Sequence, residues 1–256
     1  MKIHSNHRGA RAFSMSELLL ILAVIAVIAG LVLAGLDKAR DRARRISCIS
    51  NHKQVAMSFR LFANDQDGAY PFQFLSRPTN SLMFGSPFRT RDTLELWKLI
   101  QVAGDALGSP YILVCPSDAL RSRALNFNTN GLPGGFALPI HRLNALSYFL
   151  SIDAYEGSPQ VILMGDRYLT TDPETSWERN TRFLIGQQDF SQGAGLDQKV
   201  RWISTVHQGG GNVGMMDGSG QQLTTAKLRE AIRNQPVGRT NRIWLPNSDA
   251  TGRGNP

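Results

Sequence analysis

An apolar run near the N-terminus constrains what this chain can fold into more than any other feature of its sequence. Residues Leu18 to Leu36 include no charged and no polar side chain. As an α-helix, a run of this length spans roughly 28 Å, which matches the hydrocarbon core of a bilayer. Globular domains rarely bury so long an apolar stretch, whereas a membrane helix requires one. The sequence therefore predicts a membrane-inserted helix in a chain of 256 residues.

The segments on either side of the apolar run argue against a cleaved secretory signal peptide. Such a peptide has an apolar region of about 7–15 residues, followed by small residues at the cleavage site. Here the run is longer and continues into the charged segment 37–45, DKARDRARR. Basic residues also precede the run, at Lys2, Arg8 and Arg11, and both groups suit contact with lipid headgroups. Counting these charges alone would place the body of the protein in the cytoplasm, so the residues leave its orientation open.

The stretch from Gly9 to Leu20, GARAFSMSELLL, resembles the processing site of type IV prepilins. In that family a basic leader ends in a small residue, normally Gly, and is followed by Phe, three further residues and Glu. Ala12 stands in the place of that Gly, Phe13 matches the first mature residue, and Glu17 matches the glutamate at mature position five. The resemblance implies cleavage after Ala12 and N-methylation of Phe13 by a prepilin peptidase on the cytoplasmic side.

Glu17 also has a physical reason to be functional. A carboxylate at the edge of a membrane helix is costly, and residues of this kind usually serve a function. The resemblance implies that Glu17 pairs with the free N-terminal amine of a neighbouring subunit, and a paired charge loses less on burial than a lone one. The alternative is that Glu17 only interacts with the dipole at the start of its own helix.

Further segments are similar to one branch of prepilin-like proteins. They read ARRISC, DGAYP, SYF followed by ILMGDR, and a C-terminal pattern of His, nine residues, Asp and Gly at 207–218, which resembles the domain named after that pattern. The resemblance implies an α+β, pilin-like fold, in which a long N-terminal helix packs on a small antiparallel β-rich head. The expected divisions are a leader (1–12), the transmembrane half of the helix (13–36), its exported amphipathic half (37–66), the head (67–235) and a loose C-terminal tail (236–256).

An apolar stripe continues the helix pattern beyond the membrane segment, to about residue 66. Its members recur at steps of four and three, which places them on one face of a helix. They are Cys48, His52, Val55, Phe59 and Phe62. We expect His52 to be a half-buried, hydrogen-bonded histidine rather than a metal ligand.

The head is predicted to consist of short elements separated by Gly, Pro, Asn and Ser. Expected strands cover 111–114, 147–152, 161–164, 202–207, 212–216 and 221–224, with 126–135 as a loop and 243–245 as a short edge strand. Expected helices cover 93–102 and 226–234, the second capped by Thr225. In the predicted meander of strands 202–224, His207 and Asp217 lie at opposite ends of a hairpin, roughly 16 Å apart. Asp217 and Gly218 then form a turn, His207 caps a strand end, and no catalytic residue is expected.

The two cysteines and the acidic stretch 65–68 leave alternatives open. Cys48 and Cys115 lack the spacing of a zinc signature; in an exported head they can form a disulfide, and otherwise they are buried thiols. The stretch DQDG at 65–68 does not fit an EF-hand, because Ala63 and Phe74 would stand at the first and last ligand positions. No cofactor is expected, and calcium bound outside the EF-hand pattern is the remaining alternative.

Taken together, the motifs predict a structural subunit rather than an enzyme. The resemblance implies assembly into a type IV pilus or a type II secretion pseudopilus, with a prepilin peptidase, homologous pilin-like subunits and the bacterial inner membrane as partners. The N-terminus would be cytoplasmic and the head periplasmic or extracellular. The alternative is a membrane-tethered enzyme or ligand-binding protein whose site contains His207, Asp166 and Asp217. Most of the excess in the net charge of +8 lies beside the membrane segment, so no nucleic-acid partner is expected.

Overall fold

The computed structural model describes residues 14–79, 96–128, 133–153, 157–171, 186–189, 195–203, 207, 209–235 and 242–246. The chain divides into two compact units, Met1–Ala43 and Arg44–Pro256. The expected leader, with Ala12, and the expected first mature residue, Phe13, lie outside the described residues.

The first unit contains the beginning of the long helix α1, Met15–Asp65. The backbone N–H of Ser14 donates to Oε2 of Glu17 at 2.9 Å, which is one half of a capping box. The apolar side chains that follow are exposed, with Leu19 at 64% and Leu31 at 73%. By length and composition this helix can cross a membrane, and none of its apolar window is buried. These properties are compatible with a membrane anchor.

The second unit combines the rest of α1 with short helices and strands. The strands are β1 (Tyr148–Ser151), β2 (Ile162–Asp166), β3 (Leu169–Thr170), β4 (Gly186–Asp189), β5 (Arg201–Trp202), β6 (Gly210–Met215), β7 (Gly220–Thr224) and β8 (Arg242–Leu245). The further helices are α2 (Pro71–Ser76), α3 (Leu96–Val102), α4 (Gly104–Leu107), α5 (Leu196–Lys199) and α6 (Thr225–Arg233), with 3-10 turns at Pro110–Leu113 and Arg142–Ala145. One antiparallel sheet has the strand order β4-β8-β1-β2-β6-β7, and β3 pairs with β5 in a separate ribbon. The expected combination of a long N-terminal helix with an antiparallel sheet, and so an α+β fold, is confirmed.

Side chains of the sheet alternate between two hydrophobic cores, one on each face. On β1, Tyr148 and Leu150 belong to the core that includes the apolar stripe of α1, whereas Phe149 belongs to the core on the other face. Helix α6 contributes Leu228 and Ile232 to that second core. The sheet is thus covered by the later part of α1 on one face and by α6 on the other. All members of the predicted stripe are buried, and His52 is fully buried instead of half-buried.

The local elements of the C-terminal motif follow the prediction closely. Strands β6 and β7 form a hairpin, and Asp217 turns it by accepting a hydrogen bond from the backbone N–H of Ser219 at 2.7 Å. Gly218 has a φ of 85°, a left-handed conformation that glycine adopts without strain. Helix α6 is present as predicted, although the hydroxyl of Thr224, and not that of Thr225, caps it by accepting from the N–H of Lys227.

The other local elements agree with the prediction where they are described. Strand β1 falls within the predicted strand 147–152, and β2 overlaps the predicted strand 161–164 but continues to Asp166. Helix α3 confirms the helix predicted at 93–102 from Leu96 onward, because 93–95 lie outside the described residues. The predicted loop at 126–135 is closed by a bridge between Asn126 and Gly135.

Two of the predicted elements were wrong, one for a local reason and one because of strand pairing. The expected strand at 111–114 is a 3-10 turn, because Pro110 fixes its start and the hydroxyl of Ser109 accepts from the N–H of Tyr111. The expected three-strand meander does not form, because β2 occupies the edge of β6 at which β5 was expected and β5 pairs with β3.

The C-terminal segment is likewise neither loose nor at an edge where it is described. Strand β8 lies between β1 and β4, and its side chains at 243–245 are buried. Pairing on both sides and burial fix this strand in the sheet. The rest of the predicted tail, 236–241 and 247–256, lies outside the described residues.

Gly214 on β6 permits the close approach of α1 to the sheet. A Cβ atom at this position would lie 2.9 Å from Cγ of Met164 and 3.3 Å from the carbonyl oxygen of His52. The backbone carbonyl in a helix cannot move aside as a flexible side chain can. A larger residue at 214 must therefore displace the Met164 side chain and push α1 away from the sheet by a few tenths of an ångström.

We expect the substitution Gly214→Val to destabilise the head by about 1–3 kcal/mol through overpacking of this contact. The measurement is urea unfolding of the full-length chain in detergent, monitored through tryptophan fluorescence. Gln222→Val, which places the same side chain at an exposed position of the paired strand β7, is the matched control and should change stability by less than about 0.5 kcal/mol. Equal midpoints for the two variants would contradict the role given to Gly214.

Candidate functional site

A buried polar cluster lies where the later part of α1 meets the sheet. Its members are drawn from α1, the loop after the first 3-10 turn, the end of β2, the segment before β6 and β6 itself. Each has an exposed fraction of 2% or less. They are Cys48, His52, Cys115, Asp166, His207 and Asn212. We call this group the cysteine–histidine cluster.

Cys48 and Cys115 form a disulfide, with 5.2 Å between their Cα atoms. The structure thereby selects the disulfide among the alternatives that the sequence left open. The bond joins residues 67 positions apart, and closing a loop of this length in the unfolded chain corresponds to about 4 kcal/mol of stabilisation. It fastens α1 to the head at the edge of the cluster.

The carboxylate of Asp166 lies at the centre of the cluster. Its Oδ2 atom accepts hydrogen bonds from the backbone N–H of Asn212 at 2.7 Å and from the Asn212 side-chain amide at 3.0 Å. Nε2 of His207 lies 3.3 Å from the same oxygen. On the other side, Nε2 of His52 lies 3.6 Å from Oδ1. One acidic group is thus held between two histidines.

His52 presents a lone pair to this carboxylate. Its Nδ1 atom lies 2.7 Å from the carbonyl oxygen of Cys48, and because a carbonyl can only accept, Nδ1 carries the proton. Burial lowers the pKa of His52, and the charge of Asp166 offsets this effect only in part. Nε2 of the neutral ring is therefore an acceptor that faces another acceptor, Oδ1 of Asp166, and neither atom has a hydrogen-bond partner.

His207 directs one ring nitrogen at three polar groups. Nε2 lies 3.3 Å from Asp166 Oδ2, 3.3 Å from Nδ2 of Asn212 and 3.5 Å from Sγ of Cys115. In a nucleophile–histidine–acid relay, the nucleophile and the acid contact opposite nitrogens of the ring. Here Sγ and the carboxylate approach the same nitrogen, so the arrangement is not that of a relay. It does place several metal-ligating atoms around one point.

The predicted site residues are only partly brought together. His207 and Asp166 meet in the cluster, whereas Asp217 and Gly218 form the hairpin turn outside it. His207 does not cap the strand predicted at 202–207, because that strand ends at Trp202, and its ring is buried among the cluster residues. Asn212 was not predicted, and only its place in the middle of a glycine-rich strand could have drawn attention to it.

The acidic stretch at 65–68 forms the end of α1. Asp67 has a φ of 54° and Gly68 a φ of 76°, so both adopt the left-handed conformation that ends a helix. Among the described residues, the group of His, Cys, Asp and Glu side chains close enough to hold a metal ion is Cys48, Cys115 and His207, and it includes no member of this stretch.

A second buried polar group holds the Cys115 loop against the end of β2. Arg167 donates to both carboxylate oxygens of Asp118, from Nε at 2.8 Å and from a terminal nitrogen at 3.2 Å, and the hydroxyl of Tyr168 donates at 2.6 Å. Asp118 follows Cys115 by three residues, and Arg167 is adjacent to Asp166. The ion pair thereby positions two members of the cluster.

Burial by itself would raise the pKa of Asp118. The hydrogen bonds and charge of Arg167, together with the hydrogen bond from Tyr168, outweigh that effect and hold the pKa of Asp118 below its usual value. A carboxyl group whose pKa is depressed on folding contributes stability above its unfolded pKa, and this contribution is lost as the pH falls through the folded pKa. The pair therefore stabilises the head at neutral pH and not in strong acid.

We expect reduction of the disulfide to lower the free energy of unfolding of the head by about 2–5 kcal/mol. The measurement is urea unfolding of the full-length chain with and without a phosphine reductant, in the presence of a metal chelator. The double variant Cys48→Ala/Cys115→Ala should unfold near the reduced wild type and should not respond to the reductant. A reductant effect on that variant would contradict the assignment to this bond.

We expect the stability of the wild type to decrease as the pH falls below about 4, the unfolded pKa of an aspartate. Asp118→Asn should be less stable at neutral pH by about 3–5 kcal/mol, because Arg167 loses its buried partner, and should lose less stability in acid. Urea midpoints measured from about pH 7 down to about pH 3 test this. Asp105→Asn, at an exposed aspartate, is the control and should retain the wild-type pH profile.

The chain was also compared with known proteins. No protein-family model, no curated protein and no solved structure matches it. What the cluster and the helix do must be inferred from their own chemistry.

Proposed function

We propose that this chain is a prepilin-like structural subunit, processed by a prepilin peptidase and assembled through its N-terminal helix into a type IV pilus or a type II secretion pseudopilus. The observation that carries the proposal is α1, one continuous helix whose first part exposes apolar side chains and whose later part is buried in the head. Apolar surface of this extent is stable only against lipid or against other apolar helices. The same segment can therefore hold the subunit in a membrane and pack against sister subunits in a filament.

The disulfide supports export of the head. Disulfides persist in oxidising compartments and are rare where cytosolic reductants act. A bond between Cys48 and Cys115 favours a periplasmic or extracellular head and a cytoplasmic N-terminus, with the inner membrane between them. This orientation is the opposite of the one that the count of basic residues alone would favour.

We propose that Glu17 takes part in assembly. It lies exposed in the first turn of α1, where the helix dipole favours a negative charge. In the proposed subunit, removal of residues 1–12 creates a charged amine at Phe13, and Glu17 of one subunit pairs with that amine of a neighbour. Pairing reduces the cost of holding either charge among apolar helices.

The main alternative, a membrane-tethered enzyme, has weaker support. Asp166 and His207 do converge, but both are buried, and the contacts of His207 are not those of a catalytic relay. Asp217, the third residue of that hypothesis, forms a turn. A structural role for the motif is therefore preferred.

We expect co-expression with a prepilin peptidase to yield a chain that begins at Phe13 and carries an N-terminal methyl group. The measurement is the mass of the purified intact chain and of its N-terminal peptide. Ala12→Gly, which restores the usual residue before the cleavage point, should be processed at least as completely. A product that begins at Met1 or beyond Leu36 would overturn the proposal.

Glu17→Gln is expected to leave processing and membrane insertion intact and to lower assembly several-fold, because the amine of the neighbour loses its partner. Assembly is measured as the yield of subunit–subunit crosslinks in membranes and of sheared filaments. Asp37→Asn removes an exposed acid from the same helix and is the matched control. Equal yields for the two variants would exclude a specific role for Glu17.

A further inference from the structure

We propose that the cysteine–histidine cluster is a redox-dependent metal site: in the reduced protein, Sγ of Cys48, Sγ of Cys115 and Nε2 of His207 bind a zinc-class divalent cation, and oxidation to the disulfide releases it. These three ligand atoms already lie within 4.8 Å of one another, and all three residues are buried. This site does not depend on the proposed function, because it involves only the interior of the head.

The spacing between Cys115 and His207 fits tetrahedral coordination. With metal–sulfur and metal–nitrogen bonds of about 2.3 and 2.0 Å, a tetrahedral site places a sulfur and a nitrogen about 3.5 Å apart. Nε2 of His207 lies 3.5 Å from Sγ of Cys115. The two sulfurs must separate to about 3.7 Å, which rotation of two cysteine side chains can supply.

Asp166 is the nearest candidate for the fourth position. Its Oδ2 atom lies 3.3 Å from Nε2 of His207, close to the separation of about 3.4 Å expected for nitrogen and oxygen ligands of one tetrahedral ion. Oδ2 accepts two hydrogen bonds from Asn212, and supporting bonds of this kind orient metal-ligating carboxylates. From this position Asp166 can ligate the cation directly.

The surroundings of Asp166 also favour a bound cation. In the part of the chain that the structure describes, its ion-pair partners within 4.0 Å are His52 and His207, and no Lys or Arg is among them. Its Oδ1 atom and Nε2 of His52 are buried and without a hydrogen-bond partner. Buried carboxylates are normally paired or bound to metal, and coordination of the cation by Oδ2 would give this carboxylate such a partner.

Exchange of the disulfide for the metal leaves the formal charge of the cluster unchanged. A two-electron transfer from a dithiol or phosphine reductant, with uptake of two protons, breaks the sulfur–sulfur bond and gives two thiols. Binding of a divalent cation then releases two protons and leaves two thiolates, whose charge the cation cancels. In the reverse direction a disulfide oxidant accepts two electrons, the sulfurs bond again and the cation leaves. A newly made chain already carries free thiols, so the metal-bound form can precede the disulfide without any reductant.

The test uses the full-length chain in detergent, reduced with a phosphine and titrated with Co²⁺ under anaerobic conditions. We expect a single Co²⁺ to bind with intense tetrahedral ligand-field bands and thiolate-to-cobalt charge-transfer absorption, and Zn²⁺ to displace it. The oxidised wild type should show neither signal. Addition of a disulfide oxidant to the metal-bound form should release the ion to a chelating dye.

His207→Ala should weaken Co²⁺ binding by more than about 100-fold, beyond the roughly 10–100-fold effect of removing a residue that only supports a ligand. His141→Ala, at a histidine outside the cluster, is the matched control and should bind as the wild type does. A folded, reduced wild type without thiolate–cobalt absorption would overturn the proposal. So would a reduced wild type that unfolds and whose circular dichroism neither Co²⁺ nor Zn²⁺ restores, and so would equal affinity in His207→Ala.

Discussion

The close contact between the later part of α1 and strand β6 is the constraint on which the head depends. Gly214 lies so near the carbonyl oxygen of His52 that a side chain at this position would hold the helix away from the sheet. The contact buries the apolar stripe of α1 and brings Cys48 and His52 over Asp166. The cysteine–histidine cluster is therefore a product of helix–sheet packing, with ligands from elements that are far apart in sequence.

The elements that sequence analysis predicted correctly are those with local signals. Steps of four and three mark the stripe from Cys48 to Phe62, and the Asp217–Gly218 pair marks a turn, whatever the rest of the chain does. The pairing of β8 inside the sheet and the ribbon of β3 with β5 were not predicted, and the disulfide was left as one of two alternatives. Each depends on contacts between residues far apart in sequence, and the spacing of apolar residues along the chain does not indicate such contacts. His207 was misjudged for the same reason, because its neighbours come from β2 and the Cys115 loop.

In the described part of the head, two acids are buried, and they have different partners, which indicates a structural role for one and a chemical role for the other. Asp118 accepts hydrogen bonds from the guanidinium group of Arg167 and from the hydroxyl of Tyr168, so its negative charge is balanced within the fold. Asp166 receives amide hydrogen bonds on Oδ2, while its other oxygen faces the lone pair of His52. A fold selected only for stability would replace such an acceptor–acceptor contact by an apolar pair of similar volume. Its presence next to two cysteines is what favours a chemical role for this cluster.

Packing also explains why the residues of the C-terminal motif occur together without forming a catalytic pair. Asp217 and Gly218 turn the hairpin, Gly214 admits α1, and His207 and Asn212 reach inward from one end of the same strand toward Asp166. The six residues of β6 lie between His207 and Asp217, and they separate the two side chains instead of joining them. In this chain the motif residues serve to pack a long helix against the sheet. The motif constrains only the residues of the head. The exposed apolar part of α1 makes no contribution to the core of the head, and its sequence is free to suit a membrane. One helix can therefore serve both a folded head and a membrane.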